Sequence, residues 1–309
     1  MFHPARLTQL QMLAIVAIIS LCTFWLATCS AEPTQPVYRV ANETPAAQPA
    51  VPAAPVSVAT PAAEAVTAPK IDLTQQPGEH PLAPVIRTLK ASGEHIDKNI
   101  RDYSCTLVKR ERVDGELGDP QHIFMKIRQE PFSVYMSFLQ PYQGREVVYV
   151  AGENQNEMVV LEAGWKRKVL GKLHLDPEGT VAMSGQKYPI TRVGIRNLTT
   201  RLVEMFEADT KFAECEVTSK PDMKIAGRST TLIQIVHPIA RQNFHHHVAR
   251  IFMDNELGIP IHYDAFTWPA QSGQQPPLEL SYTYTNLKLN NGYTNRDFDT
   301  ENNPDIFKL

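Results

Sequence analysis

Positive charge is not in surplus in this chain. Its 309 residues carry 30 Lys and Arg against 33 Asp and Glu, a formal net charge of -3, which argues against nucleic acid as a main partner. Cysteine is scarce as well. There are four, and Cys22 and Cys29 lie in an N-terminal apolar segment, which leaves Cys105 and Cys215 for the folded part. The compact motifs that recruit common chemistries are also missing. There is no Gly-x-Ser-x-Gly elbow, no phosphate-cradling glycine loop and no His-Glu-x-x-His helix, so nothing recruits an enzyme or a cofactor. Ser184-Gly185-Gln186-Lys187 fits the Ser-x-x-Lys pattern of serine acyl enzymes. Its companion motifs are absent, and it falls in a loop rather than at a helix start.

What is present begins with Arg6 and an apolar run from about Met12 to Ala27, the length of a signal-peptide core and short for a spanning helix. Residues 1–31 therefore read as a signal or anchor, with three endings open. Leu26-Ala27-Thr28-Cys29 resembles a bacterial lipobox apart from Thr28, which would make Cys29 a lipidated N-terminus. Cleavage after Ala31 or retention as an anchor are the others. All three place the rest of the chain outside the cytoplasm, in the periplasm or cell envelope, with a membrane tether through the N-terminus in two of them. Residues 32–70 are dominated by Ala, Pro, Val and Thr and cannot bury a core, so they read as an extended, disordered linker. The folded domain is expected over 71–309.

Within that domain, Leu82, Val85, Ile86, Leu89, Ile96 and Ile100 recur at helical spacing. From Cys105 to Glu162 the period drops to two, which predicts five strands in a row, with Asp114-Gly115 among the reversals. A glycine-punctuated segment, Gly164 to Pro189, then reads as a lid or binding loop. A second helix is expected over 191–209, followed by strands over 214–219, 230–237, 246–254, 259–267 and 278–289. This order predicts an α+β domain: a curved antiparallel sheet of about ten strands, an incomplete barrel, with helices packed on its concave face.

The phrase Tyr103-Ser104-Cys105-Thr106-Leu107-Val108-Lys109-Arg110-Glu111-Arg112 resembles the domain-of-unknown-function family 1571, as do Gly144-Arg145-Glu146-Val147-Val148-Tyr149, Tyr188-Pro189-Ile190-Thr191 and Ala249-Arg250-Ile251-Phe252. The tail from Tyr282-Thr283-Tyr284 to Asp297-Phe298-Asp299 adds to it. No function is assigned to that family. More distantly, the element order is similar to the outer-membrane lipoprotein carrier fold. That resemblance implies carriage of an acyl chain of a lipoprotein or lipid across the envelope, and it implies this by analogy of fold.

Several clusters are candidates for function. An apolar cleft under the helices would be lined by Val134, Met136, Phe138, Ile251 and Met253, although such strand faces also simply pack. In a strand, His245 and His247 share a face and His246 opposes them; with no Cys or acidic partner at ligand spacing, a polar strand face is expected rather than a metal site. Lys109, Arg110, Glu111 and Arg112 alternate opposite Lys126, Arg128 and Glu130, which reads as a cross-strand charge ladder on a wet face. Cys105 and Cys215 are the candidate disulfide in an oxidising compartment. Three functions remain open: an extracytoplasmic, non-enzymatic binding protein for a lipid or acyl chain, a tethered envelope module that binds another protein and carries no ligand, and an enzyme using the histidine cluster, which only bound metal would recruit.

Overall fold

The computed structural model describes residues 68–212, 215–271 and 273–307. The expected signal or anchor, including Cys29, and all but the last three residues of the expected linker lie outside the described residues. Among the described residues no helix is long and apolar enough to cross a membrane.

The first helix, α1 (Ala83–Asn99), carries Pro84 in its opening turn, where a missing N–H costs nothing, and turns Val85, Ile86, Leu89 and Ile96 inward. Twelve strands follow in chain order: β1 (Asp102–Val113), β2 (Glu116–Leu117), β3 (Gln121–Arg128), β4 (Ser133–Gln140), β5 (Glu146–Val150), β6 (Met158–Leu161), β7 (Lys172–Leu175), β8 (Glu216–Ile225), β9 (Arg228–Val236), β10 (Val248–Asp254), β11 (Pro260–Phe266) and β12 (Leu278–Leu289). Two short helices, α2 (Trp165–Leu170) and α3 (Thr180–Met183), flank β7, and α4 (Ile195–Asp209) precedes β8. The two blocks of five expected strands are present. The additions are β2, a two-residue return around Asp114-Gly115, whose φ values of 51 and 83 suit a tight hairpin, and β7 inside the expected loop.

All twelve strands form one antiparallel sheet in the order β7-β6-β5-β4-β3-β1-β12-β11-β10-β9-β8, with β2 beside β1. It consists of two meanders zipped along one seam, where Tyr103 of β1 stands opposite Leu289 of β12 and Glu111 opposite Leu280. A flat ribbon of eleven such strands would be about 48 Å wide, far wider than two packed helices. Yet side chains from β6 (Val160) through β1 (Leu107) to β9 (Ile233) share one core with Leu89 of α1 and Phe206 of α4. The sheet therefore curls around the helices, and because β7 and β8 do not pair with each other, it stays an open half-barrel.

Helix α4 docks through Gly194, whose φ of +109 and close approach leave no room for a side chain: a Cβ there would sit 3.0 Å from Tyr103 Oη and 3.1 Å from Ile127 Cδ1. The next residue, Ile195, donates its backbone N–H to Tyr103 Oη at 2.8 Å.

The outer face of β4–β6 is also covered. Tyr135, Val148, Val150, Val159 and Leu161 pack there against Phe298, Ile306 and Phe307 of the C-terminal segment. That segment is fastened by Asp102, which accepts backbone N–H groups of Asn291, Gly292 and Tyr293 at 2.5, 3.1 and 3.2 Å.

Two expectations are corrected. Cys105 and Cys215 are free, buried thiols. Cys105 sits in β1 at the middle of the sheet and Cys215 just before β8 at its edge, with four strands lying between β1 and β8. The charge ladder does not form either, because register pairs Lys109 with Gln121, while Lys126 and Arg128 oppose Ser104 and Asp102. Lys109 and Glu111 point inward and are buried.

Candidate functional site

Between the sheet and α4 lies a cavity of about 770 Å³, within the range of small-molecule sites. Its wall is chemically two-sided. Strands β3 to β7 present Ile123, Met136, Phe138, Val147, Met158, Val160, Leu173 and Leu175, an apolar surface produced by the period-two alternation of those strands. Strands β1, β11 and β12 present Lys109, Glu111, Tyr263, Glu279 and Tyr282. Ala182 and Val181 of α3 and Val193, Leu198 and Leu202 on and before α4 add to the lining.

The polar wall is internally paired. Lys109 Nζ donates to Glu111 Oε2 at 3.1 Å and to the Gln186 side-chain oxygen. Glu111 also accepts the Lys187 backbone N–H at 3.2 Å and the Tyr282 hydroxyl, while the Lys187 ammonium is held by Glu279 and, at 3.3 Å, by the Arg112 carbonyl. Burial first, then the neighbouring Glu111 carboxylate, pushes the Tyr282 hydroxyl far above its ordinary pKa, so it stays a donor. The Ser-x-x-Lys segment thus fastens the far end of the expected loop to the sheet, with Lys187 neutralised by Glu279.

Arg201 and Glu204 of α4 and the pair His245 and His246 also line the space. The histidines lie in the loop before β10, not in a strand, because β10 begins only at Val248. Burial, followed by the charge of His245, lowers His246 to about 3, and its Nδ1 is buried without a partner. His247 Nδ1 bonds the His237 carbonyl at 2.9 Å, and His262 sits between Thr283 Oγ1 (2.7 Å) and Asp264 (3.0 Å). Among the described residues no three His, Cys, Asp or Glu side chains are grouped to hold a metal ion.

Of the five residues expected to line a cleft, Met136 and Phe138 line it. Val134, Ile251 and Met253 are fully enclosed in the packed core, and the cavity stops at β11, so β10 contributes nothing to it. Among the lining residues that sequence reasoning missed, those of β5 to β7 and α3 lie in elements too short to show periodicity, while Ile123, Tyr263, Tyr282, Leu198 and Leu202 lie in long elements whose period does not tell a cavity wall from a packed face.

Comparison with known proteins gives one family and several distant structures. The DUF1571 profile, described as a protein of unknown function, matches residues 100–307. No curated protein matches the chain. Among solved structures the chain is similar to the lipoprotein LppX of Mycobacterium tuberculosis, at 15% identity and a TM-score of 0.40 over 70% of this chain and 100% of that one. It is similar to an outer membrane lipoprotein-sorting protein domain from Vibrio parahaemolyticus, described there as putative, at 9% identity and a TM-score of 0.33 over 70% and 96%. A LolA superfamily protein from Nitrosomonas europaea is similar at 8% identity and a TM-score of 0.28 over 68% and 97%.

Proposed function

This chain belongs to the DUF1571 family, and we propose that it is a non-enzymatic, extracytoplasmic binding protein that holds a lipid or acyl chain in its half-barrel. The observation that carries the reading is the cavity itself: about 770 Å³ left unfilled against apolar side chains of five adjacent strands. Apolar strand faces normally pack closed, and a cleft of this size with one apolar wall and a few placed polar groups is the form that small-molecule sites take. The pairing of Lys109 with Glu111 and of Lys187 with Glu279 balances those charges within the protein beside the apolar wall, which suits a largely apolar ligand. Export through residues 1–31 would put the domain in the periplasm or envelope, where diffusing acyl chains need a water-excluding carrier.

The test is native mass spectrometry and lipid extraction of the protein purified without detergent. A co-purified lipid that is lost when Met136→Trp narrows the cavity is the expected result. Repeated absence of any lipid, with an intact fold, overturns the proposal.

A further inference from the structure

Trp165 is 68% exposed, Val169 69% and Leu170 48%, and all three belong to α2, where four-residue spacing sets Trp165 and Val169 on one face. Lys166 and Lys168 of the same helix are exposed and have no ion pair among the described residues, whereas Arg167 is tied to Glu146. The patch continues onto the end of β4 and the turn after it, which expose Leu139 (43%) and Tyr142 (44%). The two segments meet where Arg145 Nη2 holds Glu162 at 3.0 Å and where a Cβ on Gly144 would reach Ala163 at 4.0 Å. Val181 of α3, 72% exposed, adds a side chain that also lines the cavity.

We propose that this rim docks on an anionic lipid bilayer. An indole and two aliphatic side chains at the tip of a short helix suit the depth of lipid headgroups, where amphipathic rings settle. The flanking lysines supply the charge complement to anionic headgroups and lose no partner in doing so. A protein groove covering the same trio would have to strip water from Lys166 and Lys168, which protein interfaces avoid at their centres. Because β7 follows α2 directly and presents Leu173 and Leu175 to the cavity, docking through α2 would bring the β7 wall of the cavity close to the bilayer. The inference stands on the outer surface alone and does not depend on what fills the cavity.

The experiment is quenching of Trp165 fluorescence by acyl-brominated phosphatidylcholine vesicles, with and without phosphatidylglycerol, using the full chain. The Trp165→Phe difference assigns the signal, so an N-terminal tether does not confuse it. The expected result is quenching that requires phosphatidylglycerol, weakens with salt, and shifts to at least about thirtyfold higher lipid in Lys166→Glu/Lys168→Glu. Unquenched Trp165, or quenching equal in neutral vesicles, overturns the proposal, as does protection of the patch by a protein partner without lipid. An unchanged thermal unfolding midpoint and circular dichroism spectrum of the lysine variant show that the fold is intact.

Discussion

His237 Nε2 and Asp209 Oδ2 face each other at 3.5 Å, in side chains only 3% and 2% exposed. His237 Nδ1 is committed to the His246 carbonyl at 3.1 Å, so in the neutral ring Nε2 is the atom that accepts. Burial raises Asp209 to about 6 and lowers His237, both toward the neutral forms, and a proton on the carboxyl would let Oδ2 donate to Nε2.

These shifts have opposite consequences for acid stability. Asp209 is raised from 3.8 to about 6, so the folded state keeps a proton that the unfolded chain has released; its contribution is present at low pH and is lost as pH rises from about 4 to 6. His246 falls from 6.5 to about 3, so the unfolded chain takes a proton that the folded state refuses, and stability is lost as pH falls through that window. Replacing His246 by Gln should therefore flatten the acid limb by about 1.4 kcal/mol per pH unit between pH 4 and 6, and Asp209→Asn should steepen it. Urea midpoints measured across that range check both signs.

Removing the Tyr103 hydroxyl strips the Ile195 N–H of its buried acceptor. Tyr103→Phe is expected to cost about 1–3 kcal/mol. Gly194→Ala should cost a similar amount through backbone strain and the contact with Tyr103 Oη. The two changes act at one contact, so the double variant should fall short of their sum in equilibrium denaturation.

Glu279→Gln should loosen the segment around Lys187 without unfolding the sheet. The pair is partly exposed, at 27% and 16%, so a loss of about 1 kcal/mol is expected, with faster amide exchange confined to residues 184–190. Exchange spreading to β1 and β12 would contradict this.

Phe298 is 3% exposed and lies under the Arg128 guanidinium at 5.1 Å from its ring centre. Phe298→Ala is expected to cost about 3–5 kcal/mol and to bare the outer face of β4–β6. Thermal unfolding and binding of a hydrophobic dye report the two effects separately.

Burial pushes the Cys105 thiol up strongly and the Cys215 thiol to about 11, so neither is a thiolate at neutral pH. Peptides containing them should take up an alkylating reagent only after denaturation, with no dependence on prior reduction.

Much of the sheet was legible because alternation in β1, β3, β4 and β9–β12 is long enough to count. Alternation does not tell a packed side chain from one facing a void: Val134 and Met136 occupy equivalent positions on one strand face, yet only Met136 meets the cavity. The tail was missed because Tyr293, Phe298, Ile306 and Phe307 follow no period, although the continuous burial of β5 and β6 betrays a second covered face. The inward turn of Lys109 and Glu111 was hidden because their partners, Gln186 and Lys187, are more than seventy positions away.

The seam between β1 and β12 also sets the order in which the molecule can be built. Each meander pairs neighbours in the chain and can assemble without the other, but the first strand's second long partner is the last of the described strands. Closing a loop of that length is slow. Until it closes, both β1 and the concave wall stay open to whatever the nascent chain meets, so the step most in need of protection is the joining of two halves already formed.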